Sequence, residues 1–407
     1  MLQRRLLLIV WVALWCDLVV GAEYPVGDFN EDCRVDTADL LFFAGQWLFK
    51  SDTPADLNDN DYVDGVDFTL FAGHWQERTS PIVINEVLAH AHAQASDWLE
   101  LYNRSSVPVN IGGWFLSDNK DDLDSYEIPA GTIVAPHEYY ALYEATQFRN
   151  PLDPHARKLF AFSENGDVAY LFSGTDAVFP DLLIEQPFGP SETGVSFGRY
   201  RTSTGRYDFV TMSQPTPGAA NAYPLVGPVV INEIMYHPPV DADAEYVELL
   251  NISGGPVTLF DPVAMEPWRL QADTGVNFWF PTDDPVTLQA DEHLLLVRDL
   301  AAMRGYKMPD NVRVFDWGSG KLGNGGEALR LLKPGDVDED GTRYWILVDR
   351  VEYSDGAHGD AFPNGVDPWP VEADGLSPSL NRIFPLRYGD DPNNWQATIP
   401  SPGSVND

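Results

Sequence analysis

The sequence predicts a mainly β protein: two β-sandwiches joined to a small helical module near the start of the chain. Three observations predict it. Thirty-three glycines and 32 prolines among 407 residues supply turns for many short strands. A pattern of alternating apolar and polar residues begins after Thr79-Ser80-Pro81 and recurs once, 147 to 148 residues later. Ahead of it runs a different repeat, 28 residues long, with helical spacing.

Charge and composition narrow the classes. The formal net charge is −37, from 62 acidic and 25 basic residues. That excess argues against a nucleic-acid binder, which needs basic surface against phosphates. With 44% apolar and 12% aromatic residues the chain is no disordered acidic tail. Cys16 and Cys33 are its two cysteines, too few for a disulfide framework or a cysteine-based zinc site.

Residues 1–22 read as a secretory signal peptide. Arg4 and Arg5 precede an apolar run from Leu6 to Val20, and Val20-Gly21-Ala22 offers a small-residue cleavage site. Removing two arginines and one aspartate with it takes the net charge to −38. No transmembrane segment is expected in the mature chain, which is predicted to be secreted or held at the cell surface.

The 28-residue repeat is built around aspartates. Phe43-Ala44-Gly45-x-Trp47 returns as Phe71-Ala72-Gly73-x-Trp75. Each copy opens with a loop whose oxygens fall at positions 1, 3, 5, 7, 9 and 12, the spacing of an EF-hand-like calcium loop. Loop one offers Asp28, Asn30, Asp32, the carbonyl of Arg34, Asp36 and Asp39. Loop two offers Asp56, Asn58, Asn60, the carbonyl of Tyr62, Asp64 and Asp67. Calcium (Ca2+), a hard cation, takes several such oxygens on a flexible loop. Position 12 is Asp rather than Glu, and position 6 is Cys33 or Asp61 rather than glycine. Each loop runs into one helix. Leu40, Phe43, Ala44 and Trp47 share a predicted face, as do Phe68, Phe71, Ala72 and Trp75.

Loop then helix, twice over residues 26–78, resembles a type I dockerin. The resemblance implies a module that folds with calcium and docks onto a cohesin-type partner. Loop positions 10 and 11, which in that family help choose the cohesin, are Thr37-Ala38 and Gly65-Val66, so the two faces are not equivalent. The module holds 13 acidic and three basic residues between Glu23 and Arg78, so bound cations would add directly to its folding energy.

In the rest of the chain, Ile82-Val83-Ile84-Asn85-Glu86-Val87 is answered by Val229-Val230-Ile231-Asn232-Glu233-Ile234. Trp98-Leu99-Glu100-Leu101-Tyr102-Asn103 is answered by Tyr246-Val247-Glu248-Leu249-Leu250-Asn251. Gly166-Asp167 matches Gly326-Glu327, and Pro215-Thr216-Pro217-Gly218 with Asn221 matches Pro400-Ser401-Pro402-Gly403 with Asn406. The second copy carries extra material near 260–285 and 335–345, and the first has no evident counterpart of Val348-Asp349-Arg350-Val351-Glu352-Tyr353. Short alternating strands between turns make sandwiches. The three motifs, in the same order in both copies, resemble the lamin-tail domain over residues 81–222 and 228–407. That resemblance implies an immunoglobulin-like fold, usually non-catalytic.

Candidate chemistry beyond the calcium loops is thin. Glu86 with Glu100, and Glu233 with Glu248, could be read as acid–base pairs. Their recurrence in both copies marks them as a fold signature instead. Gly194-Val195-Ser196-Phe197-Gly198 has the letters of a nucleophile elbow, but a strand pattern follows where a helix is needed. His90 and His92 could hold zinc, but no third ligand is specified. Asp336, Asp338 and Asp340 could hold a third, weaker calcium ion as the opening half of a loop that Leu347 leaves unclosed, but an ordinary acidic hairpin turn is the stronger reading of the same residues. The sequence thus predicts a secreted, non-catalytic, calcium-binding attachment protein. The alternatives are an accessory of extracellular polysaccharide breakdown and a structural surface-layer component.

Overall fold

Residues 24–50, 53–174, 176, 178–179, 181–338, 340–362 and 365–406 are described in the computed structural model of the chain. The predicted leader, Cys16 included, lies outside them. Among the described residues no sheet mixes strands of 82–211 with strands of 229–398.

The first unit packs two sheets face to face. One has the strand order Tyr207–Thr211, Phe197–Arg201, Ile82–Leu88, Trp98–Asn103, Tyr139–Tyr143. The other runs Tyr126–Glu127, Phe115–Ser117, Asp167–Phe172, Leu183–Phe188. Between them lie Ile82, Ile84, Leu99, Leu101, Trp114 and Leu171 among others, all essentially buried. Alternation explains this: on one strand Leu99 and Leu101 face the core while Glu100 and Tyr102 face away from it.

The second unit repeats the plan. Trp395–Thr398, Ser379–Arg382, Val229–Met235, Tyr246–Asn251 and His293–Val297 form the first sheet, and Asn277–Trp279, Arg269–Ala272, Gly326–Val337 and Arg343–Ser354 the second. Arg313–Asp316 adds a sixth strand, parallel to His293–Val297, which the sequence pattern did not reveal. Its surroundings form a small second core of Met235, Tyr246, Leu295, Val297 and Met303.

The I-N-E motif acquires a structural meaning. The register shifts between Ile84 and Glu86, and again between Ile231 and Glu233. Asn85 and Asn232 therefore sit in matching β-bulges, which re-aim the side chains that follow. The expected absence of a first-unit partner for Val348 to Tyr353 is corrected. Leu183–Phe188 pairs with Asp167–Phe172 just as Arg343–Ser354 pairs with Gly326–Val337. Pro187, which cannot donate to a ladder, and the polar Glu185-Gln186 hid the strand.

The module contains two nine-residue helices, α1 (Thr37–Gly45) and α2 (Gly65–Gly73). Their core is five buried side chains: Val35, Phe43, Ala55, Val63 and Phe71. The predicted helix faces are partly corrected. Phe43 and Phe71 are buried, but Ala44, Ala72, Phe68, Trp47 and Trp75 are exposed. The helices stop at Gly45 and Gly73, so both tryptophans lie past their ends, Trp47 tilted against Phe43 and Trp75 edge-on to Phe71, each with ring centres 5.8 Å apart. So small a unit cannot cover a full apolar stripe on each helix.

Candidate metal centres

Each acidic loop is shaped by its own carboxylates. In loop one Asp28 accepts from the N–H groups of Asp32 (3.2 Å) and Cys33 (2.7 Å). Asn30 accepts from Asp32 N, and Asp32 from Arg34 N. Asp39 is fully buried and closes the loop, accepting from Phe29 N (2.8 Å), Asn30 N (3.3 Å) and Asp36 N (2.9 Å). Asp36 caps α1, its carboxylate accepting from Ala38 N.

Loop two repeats the closing and capping bonds, with fewer bonds within the loop. Asp56 accepts from Asn60 N. Asp67 accepts from Leu57 N, Asn58 N and Asp64 N. Asp64 caps α2 through Val66 N. The residues at loop position 6 take the left-handed turn without glycine: Cys33 has φ +68° and Asp61 +64°. Such a conformation costs a side-chain-bearing residue roughly 1–2 kcal/mol. Glu31 and Asp59, at position 4, share it. At position 8 of each loop, Val35 bonds to Glu77 and Gln76, and Val63 to Leu48 and Phe49. Each loop is thereby stitched to the segment after the other repeat's helix.

Electrostatics favours a cation in loop one. Burial pushes the Asp28 carboxyl up to about 6, and the charges of Asp39 and Asp32 add to the rise. Asp32 is raised for the same reasons, with Asp36 and Asp39 as its charged neighbours. In loop two the side-chain oxygen of Asn58, at position 3, is buried without a hydrogen-bond partner. A buried acceptor left bare is costly, and a bound cation would satisfy it. Among the described residues no group of three His, Cys, Asp or Glu side chains is gathered closely enough to hold a metal by itself. The predicted sets rely in addition on asparagine and on the carbonyls of Arg34 and Tyr62. Each carboxylate oxygen that accepts an N–H keeps a lone pair for a metal, so the residues fit calcium.

The other candidates fall elsewhere. Asp336, Asp338 and Asp340 lie at the tip of the hairpin joining Gly326–Val337 to Arg343–Ser354. There Asp338 is occupied by Asp340 N, Thr342 N and the Tyr344 hydroxyl. His90 is held between Ser191 O (3.1 Å) and the Thr193 hydroxyl (2.9 Å), and His92 packs against Gly194. Ser196 is buried and donates to Glu86 at 2.6 Å, and the strand Phe197–Arg201 follows it directly.

The four glutamates are the hubs of twin hydrogen-bond networks. Glu86 accepts from Ser196 and from both the N–H and hydroxyl of Thr216. Glu233 accepts from Ser379, Tyr246 (2.5 Å) and Ser401 N (3.0 Å). Glu100 accepts from Gly218 N and Asn85, and Glu248 from Gly403 N and Asn232. Asn221 and Asn406 close the circuits onto Asn85 and Asn232. Asn103 and Asn251 each bind three carbonyls of a neighbouring turn and strand end. The P-x-P-G-x-x-N ending is therefore a strap laid across the sheet and tied to its glutamates. Burial pushes Glu100 and Glu233 each up to about 7.

Two packed antiparallel sheets with this strand order define an immunoglobulin-like sandwich protein. A family model described as Lamin Tail Domain matches residues 76–179. That span takes in most of the first unit and stops ahead of Leu183–Phe188. Among solved structures the chain is similar to a DUF4876 family protein from Bacteroides thetaiotaomicron, at 11% identity and a TM-score of 0.26, covering 57% of this chain and 87% of that one. No curated protein matches.

Proposed function

We propose that the chain is a secreted, non-catalytic attachment protein whose dockerin-like module binds two calcium ions and docks onto a cohesin-type partner, with both sandwiches of lamin-tail type serving as the attached body. One observation supports docking above all. The module leaves Leu41 (70% exposed), Phe42, Leu48, Phe49, Val66 and Leu70 on its surface, a dense apolar set for so acidic a unit. In the calcium sites, loop one holds four ligand carboxylates and loop two three, so loop one is the tighter.

The test uses the full mature chain. Calorimetric titration after chelation gives two calcium ions per chain, and Asp39→Ala and Asp67→Ala each remove one. Because Asp28 holds its proton up to about pH 6, protons compete there, and the tighter site weakens between pH 7.5 and 5. An immobilised cohesin domain retains the chain in calcium and releases it in chelator. A stoichiometry below two, or retention indifferent to calcium, overturns the reading.

A further inference from the structure

Arg269 carries a positive charge that no acid answers. It opens the strand Arg269–Ala272, from which Leu270 and Ala272 point into the core of the second sandwich, so Arg269 and Gln271 face outward. The guanidinium carbon lies 4.1 Å from the centre of the Trp345 ring and 5.2 Å from that of Trp279. The two indoles meet edge to face, 5.1 Å apart at 87°. Among the described residues Arg269 forms no ion pair, and its buried Nε has no hydrogen-bond partner. Burial alone shifts its pKa, downward from the ordinary arginine value, with no carboxylate to oppose the shift. A half-buried charge without a counterion is costly.

The surroundings are equally uncommitted. Gln271 and Asn277 are cross-strand partners two residues along from Arg269 and Trp279, on the same outward face. Among the described residues neither carboxamide and neither indole N–H has a hydrogen-bond partner. Asn277–Trp279 is the edge strand of its sheet, and Trp279 is 42% exposed. The rings, the amides and the cation therefore meet solvent on one open face.

Acids are not scarce in this chain, where they outnumber basic residues 62 to 25. Other arginines of the same sandwich have found them. Arg330, on the next strand, pairs with Asp273 at 2.5 Å, and Arg298 with Asp243 at 3.0 Å and Glu245 at 2.9 Å.

The first sandwich provides the control. Leu116 pairs with Leu171 there as Leu270 pairs with Leu331 in the second, so Phe115 stands where Arg269 does and Glu127 where Trp279 does. That position also holds a guanidinium on a ring, with Arg157 lying 4.7 Å from the centre of Phe115. Its charge is answered within the chain, by Glu127 and by Asp124 at 3.5 Å. The second copy has kept the stacked cation, replaced the acid by a tryptophan and left the charge to be met from outside.

We propose that this outer face of the second sandwich binds an acidic sugar residue, a pyranose carrying a carboxylate or a sulfate, at Arg269 and its two tryptophans. Guanidinium and indole N–H groups only donate, which suits an oxyanion. The guanidinium faces are covered by the indoles, and its Nη edge takes the acidic group. Indole rings offer flat apolar surface to the C–H face of a pyranose. The carboxamides of Gln271 and Asn277 both donate and accept, matching neighbouring sugar hydroxyls. One cation suits one acidic group, whereas a nucleic-acid strand requires a run of phosphate contacts against the field of a −37 chain.

The experiment titrates the full chain with a galacturonate hexamer, a carrageenan hexamer whose acid is sulfate alone, a neutral galactan hexamer and oligodeoxythymidylate. Saturable binding of one or both acidic sugars is expected, and which of them binds identifies the acid group. Arg269→Gln weakens that binding at least tenfold. Trp279→Glu, which puts the first sandwich's acid beside the cation, weakens it as much while the thermal midpoint stays or rises. No binding of either acidic sugar at millimolar concentration overturns the proposal. So does equal affinity for the neutral sugar or for DNA, or binding unchanged by Arg269→Gln.

Discussion

Glu100 in the first sandwich is met by Gly218 and Asn85; its equivalent in the second, Glu248, is met by Gly403 and Asn232 and also by His293 at 2.8 Å. Apart from this contact and the Tyr246 hydroxyl on Glu233, which has no counterpart on Glu86, the hydrogen bonds that the four glutamates accept correspond between the two copies. The second has meanwhile lengthened its central hairpin, added a sixth strand and replaced Tyr102 and Tyr139 with Leu250 and His293. Duplication thus preserved the bonds that tie the final strap to the sheet and left the strap's surroundings free to change. Buried acceptors explain why: each glutamate satisfies several donors at once, so no single substitution leaves them all paired.

The largest test of that equivalence removes a hub. Glu86→Ala and Glu233→Ala should each destabilise their own sandwich by about 3–5 kcal/mol, because buried hydroxyls and N–H groups lose a charged acceptor together. Urea unfolding followed separately for the two units reads the effect. A cost under about 1 kcal/mol in either would break the comparison.

Acidity gives a smaller effect. Glu100 and Glu233 ionise near pH 7 when folded, against an ordinary value of 4.5. A carboxyl raised in this way stabilises the fold fully below about 4.5 and loses that contribution as the pH climbs through 7. Both sandwiches should therefore be more stable at pH 5 than at pH 8, by about 2–3 kcal/mol each at most. Thermal midpoints that rise toward pH 8 would contradict it.

The smallest effect sharpens the contrast between the copies. His293→Leu leaves Glu248 without its imidazole neighbour and should cost about 1–2 kcal/mol in the second sandwich alone. Differential scanning calorimetry should show one transition lowered and the other unmoved.

Much of this architecture was readable from the residues. Strands opening with Ile-Asn-Glu, the Glu-Leu-x-Asn pairs and the closing Pro-x-Pro-Gly announced themselves because a duplicated motif is self-checking: chance does not repeat three motifs in order. The loops of the module were readable for the same reason. Leu183–Phe188 was not, since Pro187 breaks the strand signature and only pairing with Asp167–Phe172 reveals it. Arg313–Asp316 is too short to stand out, and a parallel partner leaves no local turn signal. The cluster around Arg269 was invisible for a different reason. Arg269, Trp279 and Trp345 lie on three different strands, and strand order alone brings them together. Trp47 and Trp75 were placed on the helix faces because periodicity assumes that the helix continues, whereas both helices end two residues earlier.

The join between the module and the first sandwich has a mechanical side. Ser106, in the turn after Trp98–Asn103, donates its N–H to Glu31 O at 2.8 Å and its hydroxyl to Asn30 O at 2.7 Å, inside the first acidic loop. Tyr24 reaches Arg104 O, the Arg34 guanidinium lies over the ring of Phe179, and Thr79 N returns to Cys33 O. A pull between the module and the sandwich would therefore load several parallel rivets rather than the single thread of Thr79-Ser80-Pro81. Those rivets are set in loop one, so if that loop binds calcium as proposed, the ion would stiffen the coupling, and calcium concentration would set how much tension crosses the join.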